Sequence, residues 1–176
     1  MRILFSQRQN MEQISNWVKE SHQYLPHDGQ ILDLACGNGR HSQFLEEHGF
    51  DVTAVDLDVT NINQRNLTKT IVIQADLEGE AWPFSHEQFD GIIVVNYLWR
   101  KRFQNLSKTL KSGGILIYDT FCAGNEKYGR PKSPDFLLKA GELKVAFPDM
   151  DVVAFEEGYR ATPSPAMKQS IVLRKR

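Results

Sequence analysis

Between residues 30 and 121 the apolar positions switch period repeatedly. The stretches at 30–35, 51–56, 70–75, 89–95 and 114–120 are short, mostly apolar and rich in Val and Ile, with Gly, Pro, Asn or Asp nearby. Such stretches predict buried strands. The segments between them repeat apolar residues at helical spacing and predict helices near 39–48, 59–66 and 99–111. Ahead of them Met11, Ile14, Trp17 and Val18 recur at helical spacing until Pro26, Asp28 and Gly29 break the pattern, which predicts a leading amphipathic helix.

After Phe121 the character changes. Residues 122–134 are polar and rich in Gly and Pro, and a short helical pattern follows near 135–146. The last two apolar stretches, "MDVVAFEEGY" and "KQSIVLRKR", alternate with polar residues and have no helix between them, so they are expected to pair antiparallel. The fold class predicted is α/β: a Rossmann-like, seven-stranded, mostly parallel sheet with helices on both faces and an antiparallel C-terminal strand.

The 176 residues are enough for one core without disulfides or metals, and no internal repeat or linker divides them. A formal net charge of −1 provides no field for a long polyanion. Two cysteines, Cys36 and Cys122, make no disulfide framework and fit a reducing, cytoplasmic setting. The apolar patch at the N-terminus is shorter than a signal peptide requires, and no stretch approaches the roughly 20 apolar residues of a membrane helix. The five histidines show no metal-ligand spacing, so no metal is expected.

The chemistry concentrates in "ILDLACGNGRHS", residues 31–42, where a strand breaks into a helix over Gly37 and Gly39. The dinucleotide fingerprint G-x-G-x-x-G is only partly met, because Ser42 stands where the third glycine or alanine belongs. The acids say more. Asp33 sits at the end of the first strand, Asp56 ends the second and Asp76 follows the third. A carboxylate about 4 Å from a pyrophosphate would cost roughly 4 kcal/mol at an effective dielectric of 20. Three acids on one rim suit a cation instead, and S-adenosylmethionine carries a sulfonium, an ammonium and no phosphate. On this reading Asp56 takes the ribose hydroxyls, Asp76 and Leu77 lie against adenine, and Arg40 or the loop N–H groups take the carboxylate.

"LDLACGNGR", "VTAVDLD", "QADLEGEAWPF", "FDGIIVVNYLWR" and "LKSGGILIYDTF" occur in that order over roughly residues 28–121. With them the chain resembles the class I S-adenosylmethionine-dependent methyltransferases, most closely the small tellurite-resistance-type and methyltransferase-11/12-type domains. Ala35 departs from the first glycine of the family's D-x-G-x-G-x-G. The resemblance implies a single domain over 1–176: an N-terminal helix and lid (1–27), a cofactor-binding core (28–121), and a substrate loop with a terminal strand pair (122–176). It implies cofactor contacts from Asp33, Ala35, Gly37, Gly39, Arg40, Asp56, Leu57, Asp76, Leu77 and Asn96.

Tyr97, Asn125, Tyr128 and Arg130 are the candidate substrate residues, and Tyr97, Tyr118, Asp119 and Tyr128 the candidate bases. His41 stands beside the loop, Trp99 reads as helix packing, Cys36 as a packing residue, and "RKRF" (100–103) and the final "RKR" as solvated charge. The expected function is methyl transfer by in-line displacement to a small-molecule acceptor, in a monomer or homodimer. RNA or protein acceptors, a non-catalytic cofactor-binding module and a nicotinamide-dependent oxidoreductase remain alternatives.

Overall fold

The structure, a computed structural model, describes residues 13–176. Met11 of the leading apolar pattern lies outside them. In chain order the elements are α1 (Asn16–Ser21), β1 (Gln30–Leu34), α2 (Arg40–Glu47), β2 (Asp51–Asp56), β3 (Ile71–Gln74), β4 (Phe89–Val95), α3 (Phe103–Thr109), β5 (Leu110–Phe121), α4 (Glu142–Ala146), β6 (Met150–Arg160) and β7 (Ala166–Lys175).

The strands form one seven-stranded sheet in the order β3-β2-β1-β4-β5-β7-β6. Strands β1 to β5 pair parallel, and β7 runs antiparallel between β5 and β6. The period-2 alternation of each strand sends its residues to opposite faces. Ile31, Val52, Ile93, Ile115 and Ile117 meet Val18 of α1 and Leu45 of α2 on one face. Leu32, Leu34, Ile92, Val94, Leu116 and Tyr118 meet Leu106 of α3 and Leu143 of α4 on the other. Asp33 and Asp119 therefore share the face of Ile31 and Ile117, where they must be buried with polar company.

Three predicted helices come out shorter; of 135–146 only Glu142–Ala146 is α-helical, after a 3-10 turn at Pro134–Phe136 and an extended Leu137. Residues 59–66 hold only a 3-10 turn, Ile62–Gln64, and Arg65 is already extended. Val59, Thr60, Asn61, Ile62 and Asn63 are all weak helix formers, which leaves the segment at a single turn. At 99–111 the chain starts extended at Trp99, passes through a 3-10 turn at Arg100–Arg102 and enters α3. The fifth strand then begins at Leu110, earlier than the apolar run indicates, with an irregular register opposite Phe89–Gly91.

Candidate active site

Chain order runs outward from β1 to β2 and β3, then returns to the other side of β1 with β4. A crevice opens beyond the carboxyl ends of the strands at such a reversal. Both strands that flank it end in left-handed backbone on residues other than glycine, Ala35 at φ +54° and Asn96 at φ +57°.

The loop after β1 adds Gly37 at φ +55° and Gly39 at φ +73°. A Cβ on Gly39 would collide with the Ile62 side chain, so glycine is required there by space as well as by conformation. The loop is tied to the second strand, because Gly37 N–H donates to Asp56 Oδ2 at 2.8 Å. Asp58 N–H donates to Asp56 Oδ1 at 3.1 Å. A carboxylate has about four acceptor positions, so Asp56 retains capacity for hydroxyl donors.

Asp56 faces a cleft of about 540 Å³ whose walls include Ala35, Asp76, Leu77, Tyr97 and Trp99. Leu57 and Glu78 complete the lining. The Asp76 carboxylate accepts N–H groups from Glu78 at 2.9 Å and Gly79 at 3.1 Å, shaping this segment into a turn. Tyr97 Oη is buried and has no partner within the protein. Burial, and after it the charge of Glu78, pushes its phenol well above the ordinary value. Arg102 braces the cleft floor. Its guanidinium donates to Leu77 O at 2.6 Å, to Gly79 O and to Ala81 O at 3.1 Å, and lies 5.3 Å from the Trp82 ring.

Across β4 a second, smaller cleft of about 140 Å³ is walled by Trp17, Arg40, Asn96, Asp119, Phe121 and Lys168. Asp119 is 3% exposed. Its Oδ2 accepts from Ser15 Oγ at 2.8 Å and Lys168 Nζ at 2.8 Å, and its Oδ1 from Ser170 Oγ at 2.8 Å. Burial alone would raise its pKa, but Lys168 and the hydroxyls outweigh it and hold the carboxyl below the usual range. Lys168 Nζ also donates to Asn96 Oδ1 at 2.7 Å. The register of β5 against β7 explains the grouping, since Asp119 pairs with Ser170 and Phe121 with Lys168.

Asp33 does not line either cleft. The sequence reading had it facing the crevice. Instead its carboxylate is buried beneath the start of α2, accepting Ser42 Oγ at 2.6 Å. Burial raises its pKa to about 6, against the opposing pull of Ser42 and Arg40. Arg40 reaches the second cleft, and its Nε is buried without a partner. His41 is buried and its Nε2 accepts Ser15 N–H at 3.1 Å. Burial, reinforced by Arg40, lowers its pKa to about 3, so it is neutral and fixed.

Other expected residues stand elsewhere. Tyr118 is 1% exposed and donates to Tyr97 O at 2.9 Å, which places its hydroxyl in the core, away from both clefts. Asn125 is a strut: Oδ1 accepts Met167 N–H at 3.1 Å and Nδ2 donates to Pro131 O at 3.2 Å. Tyr128 packs on Tyr159 at 5.1 Å, and Arg130 is exposed. From the same segment it is Pro131 and Phe136 that line a cavity, together with Asn96, Tyr97 and Phe121.

The "RKRF" segment is not solvated charge. Arg100 pairs with Glu142 and donates to Asp135 O and Leu137 O, while Arg102 is buried. At the end of the chain Lys175 Nζ is docked on Leu110 O at 2.7 Å, whereas Arg174 and Arg176 are exposed, as expected of solvated charge. Cys36 is 3% exposed and packs with Ala54 and Ile62, and burial pushes its thiol far above the ordinary range. Among the described residues no helix is long and apolar enough to cross a membrane.

Sequence reasoning missed Lys168, Glu78 and the wall position of Trp99. Lys168 had no motif to mark it, because its partner Asp119 is 49 residues away along the chain.

Residues 31–114 match the methyltransferase domain family. The chain is 34% identical over 122 residues to the putative methyltransferase YqeM of Bacillus subtilis, covering 61% of this chain and 47% of that one. It is 28% identical over 164 residues to the probable S-adenosyl-L-methionine-dependent methyltransferase TehB of Haemophilus influenzae, covering 87% of this chain and 56% of the relative. The chain spans about half the length of the curated relatives it matches. The crystal structure of TehB from Haemophilus influenzae superposes with a TM-score of 0.74 at 19% identity, over 93% of this chain and 63% of that one. A Burkholderia thailandensis 1,6-didemethyltoxoflavin-N1-methyltransferase, solved with its substrate and S-adenosylhomocysteine, superposes with a TM-score of 0.70 at 18% identity, over 90% and 76%. Residues 31–114 are thus similar to the methyltransferase domain family, and the chain has the Rossmann-like fold seen in TehB.

Proposed function

We propose that the chain is an S-adenosylmethionine-dependent methyltransferase that methylates a small molecule by in-line displacement. The observation that carries this reading is the split polarity of the crevice. Asp56, Asp76 and Glu78 rim the cleft beside β2 and β3, and Tyr97 Oη waits there without a partner. Arg40, with an unpaired Nε, stands across β4. A ligand with hydroxyls and a heteroaromatic ring at one end and a carboxylate at the other matches both halves, whereas a pyrophosphate would meet the acids.

On this reading Asp56 accepts from the ribose hydroxyls, and Asp76, Leu77, Tyr97 and Trp99 hold the adenine. Gly37, Gly39 and Ala35 let the loop backbone approach the ligand, Arg40 takes its carboxylate, and Asn96 orients the methionine end. Asp33 acts indirectly, by fixing Ser42 and Arg40. When bound, the cofactor supplies a methyl group on a sulfonium that needs no further activation. The protein's task is then to hold the acceptor in line near 3 Å and to exclude water. Trp17, the segment before it and Phe121 all line the second cleft, which suits that task.

The small-molecule reading is supported by the size of the second cleft and by the engagement of Arg100 and Arg102 within the protein, which removes them as an RNA contact. Isothermal titration tests the cofactor: S-adenosylhomocysteine should bind in the micromolar range and NAD should not compete. No binding of S-adenosylhomocysteine at millimolar concentration would reject the proposal.

A further inference from the structure

The second cleft has an excess of positive charge. Arg40, Arg160 and Lys168 line it, and Asp119 is the one carboxylate among its lining residues. Both oxygens of Asp119 are already taken by Lys168, Ser15 and Ser170. Lys168 spends two protons on Asp119 and Asn96, which leaves the third for a ligand, and its ammonium lies 5.0 Å from the Phe121 ring. Among the described residues Arg160 pairs with Glu156 alone, in a pair open to solvent and easily exchanged for another anion.

The same cleft has no free base among the described residues. Asp119 already accepts three hydrogen bonds and is held in its ionised form by Lys168, His41 Nε2 is occupied by Ser15 N–H, and Tyr118 donates into the core. An acceptor that had to lose a proton would find no group to receive it. An acceptor that is already an anion at neutral pH needs none, and the cations provide its binding site. A carboxylate, with a pKa near 4, meets both conditions.

We propose that the acceptor is a small aromatic carboxylate held by Lys168 and Arg160 between Trp17 and Phe121, and that its carboxylate oxygen receives the methyl group. One oxygen stays on the cations. The other forms the new bond to the methyl carbon as the sulfur–carbon bond breaks, and the bonding pair remains on sulfur. Positive sulfonium and negative carboxylate become thioether and neutral ester, with no proton transferred. Arg40 is reserved for the cofactor's own carboxylate, so the inference rests on the function proposed above.

The test is ligand-observed NMR on the full chain saturated with S-adenosylhomocysteine. The probes are benzoate, 4-hydroxyphenylacetate and indole-3-acetate, each beside its primary amide. At least one carboxylate should bind, its amide should bind at least tenfold more weakly, and Arg160→Met should weaken the carboxylate by about tenfold while leaving S-adenosylhomocysteine binding unchanged. Lys168→Met should weaken the carboxylate likewise where it folds; Arg160→Met, at a partly exposed side chain away from Asn96, keeps the test sound if it does not. With S-adenosylhomocysteine bound, failure of every carboxylate, or equal binding of acid and amide, overturns the inference and leaves the cofactor reading standing. Failure of S-adenosylhomocysteine to bind overturns the cofactor reading itself.

Discussion

Ala35 and Asn96 are the left-handed residues that follow two adjacent strands, at φ +54° after β1 and +57° after β4. Ala35 lines the larger cleft and Asn96 the smaller one. Left-handed backbone costs a residue with a Cβ about 1–2 kcal/mol, and such strain collects at functional sites.

Ala35→Gly should therefore relieve strain in the folded chain, while glycine's extra freedom in the unfolded chain offsets part of the gain. A net stabilisation of about 0.5 kcal/mol is expected, read as a higher midpoint in urea unfolding. A loss of more than 1 kcal/mol would mean that the alanine methyl contributes packing beyond what its partly buried position implies.

Asp119 and Lys168 form the most enclosed ion pair of the site, with 4% and 14% side-chain exposure. Lys168→Met leaves a buried carboxylate with only hydroxyl donors and should cost about 3–5 kcal/mol. The double variant with Asp119→Leu removes both charges and should recover much of that loss. Chemical denaturation of the four proteins gives the coupling directly.

Asp33 sets a pH dependence of stability. Its folded pKa, about 6, exceeds the model-peptide value of 3.8, so the folded chain holds this proton more tightly than the unfolded one. Stability from this group is full below about pH 4, falls as pH rises to about 6, and is level above. The span corresponds to about 3 kcal/mol. Asp33→Asn should flatten that slope, seen as a smaller difference in unfolding free energy between pH 4 and pH 7 than in the parent.

Arg102 supports the cofactor cleft from below without entering it, through the carbonyls of Leu77, Gly79 and Ala81. Arg102→Met keeps the apolar stem but releases three carbonyls. S-adenosylhomocysteine should bind about tenfold more weakly, a change of about 1.4 kcal/mol, with its enthalpy reduced. Unchanged affinity would show that the Asp76–Ala81 turn holds its shape alone.

The strands of the parallel core and the glycine loop were legible in the sequence because strands buried on both faces leave continuous apolar runs, and because Asp56 and Asp76 follow such runs directly. The helix expected at 59–66 was not, since its apolar spacing is carried by β-branched Val59 and Ile62 among Thr60, Asn61 and Asn63, all weak helix formers. Asp33 was read as facing ligand because it precedes the loop. Its side chain points to the α2 face, and only the pairing of strands reveals that. Asn125 looked like a binding residue in a polar loop, yet its amide spans Met167 and Pro131. The cationic side of the crevice was invisible for a related reason: Lys168 reaches Asp119 through an antiparallel partner strand, and no short motif spans that distance.

The placement of β7 between β5 and β6 sets an order of assembly. Strand β6 has no hydrogen-bonding neighbour in the sheet until β7 is in place, and Asp119 has neither Lys168 nor Ser170 until the same strand docks. Until then the acid at the end of β5 stays hydrated and the second cleft lacks a wall. The larger cleft takes no residue from β7. The smaller cleft therefore depends on the same strand that joins the edge strand β6 to the rest of the sheet.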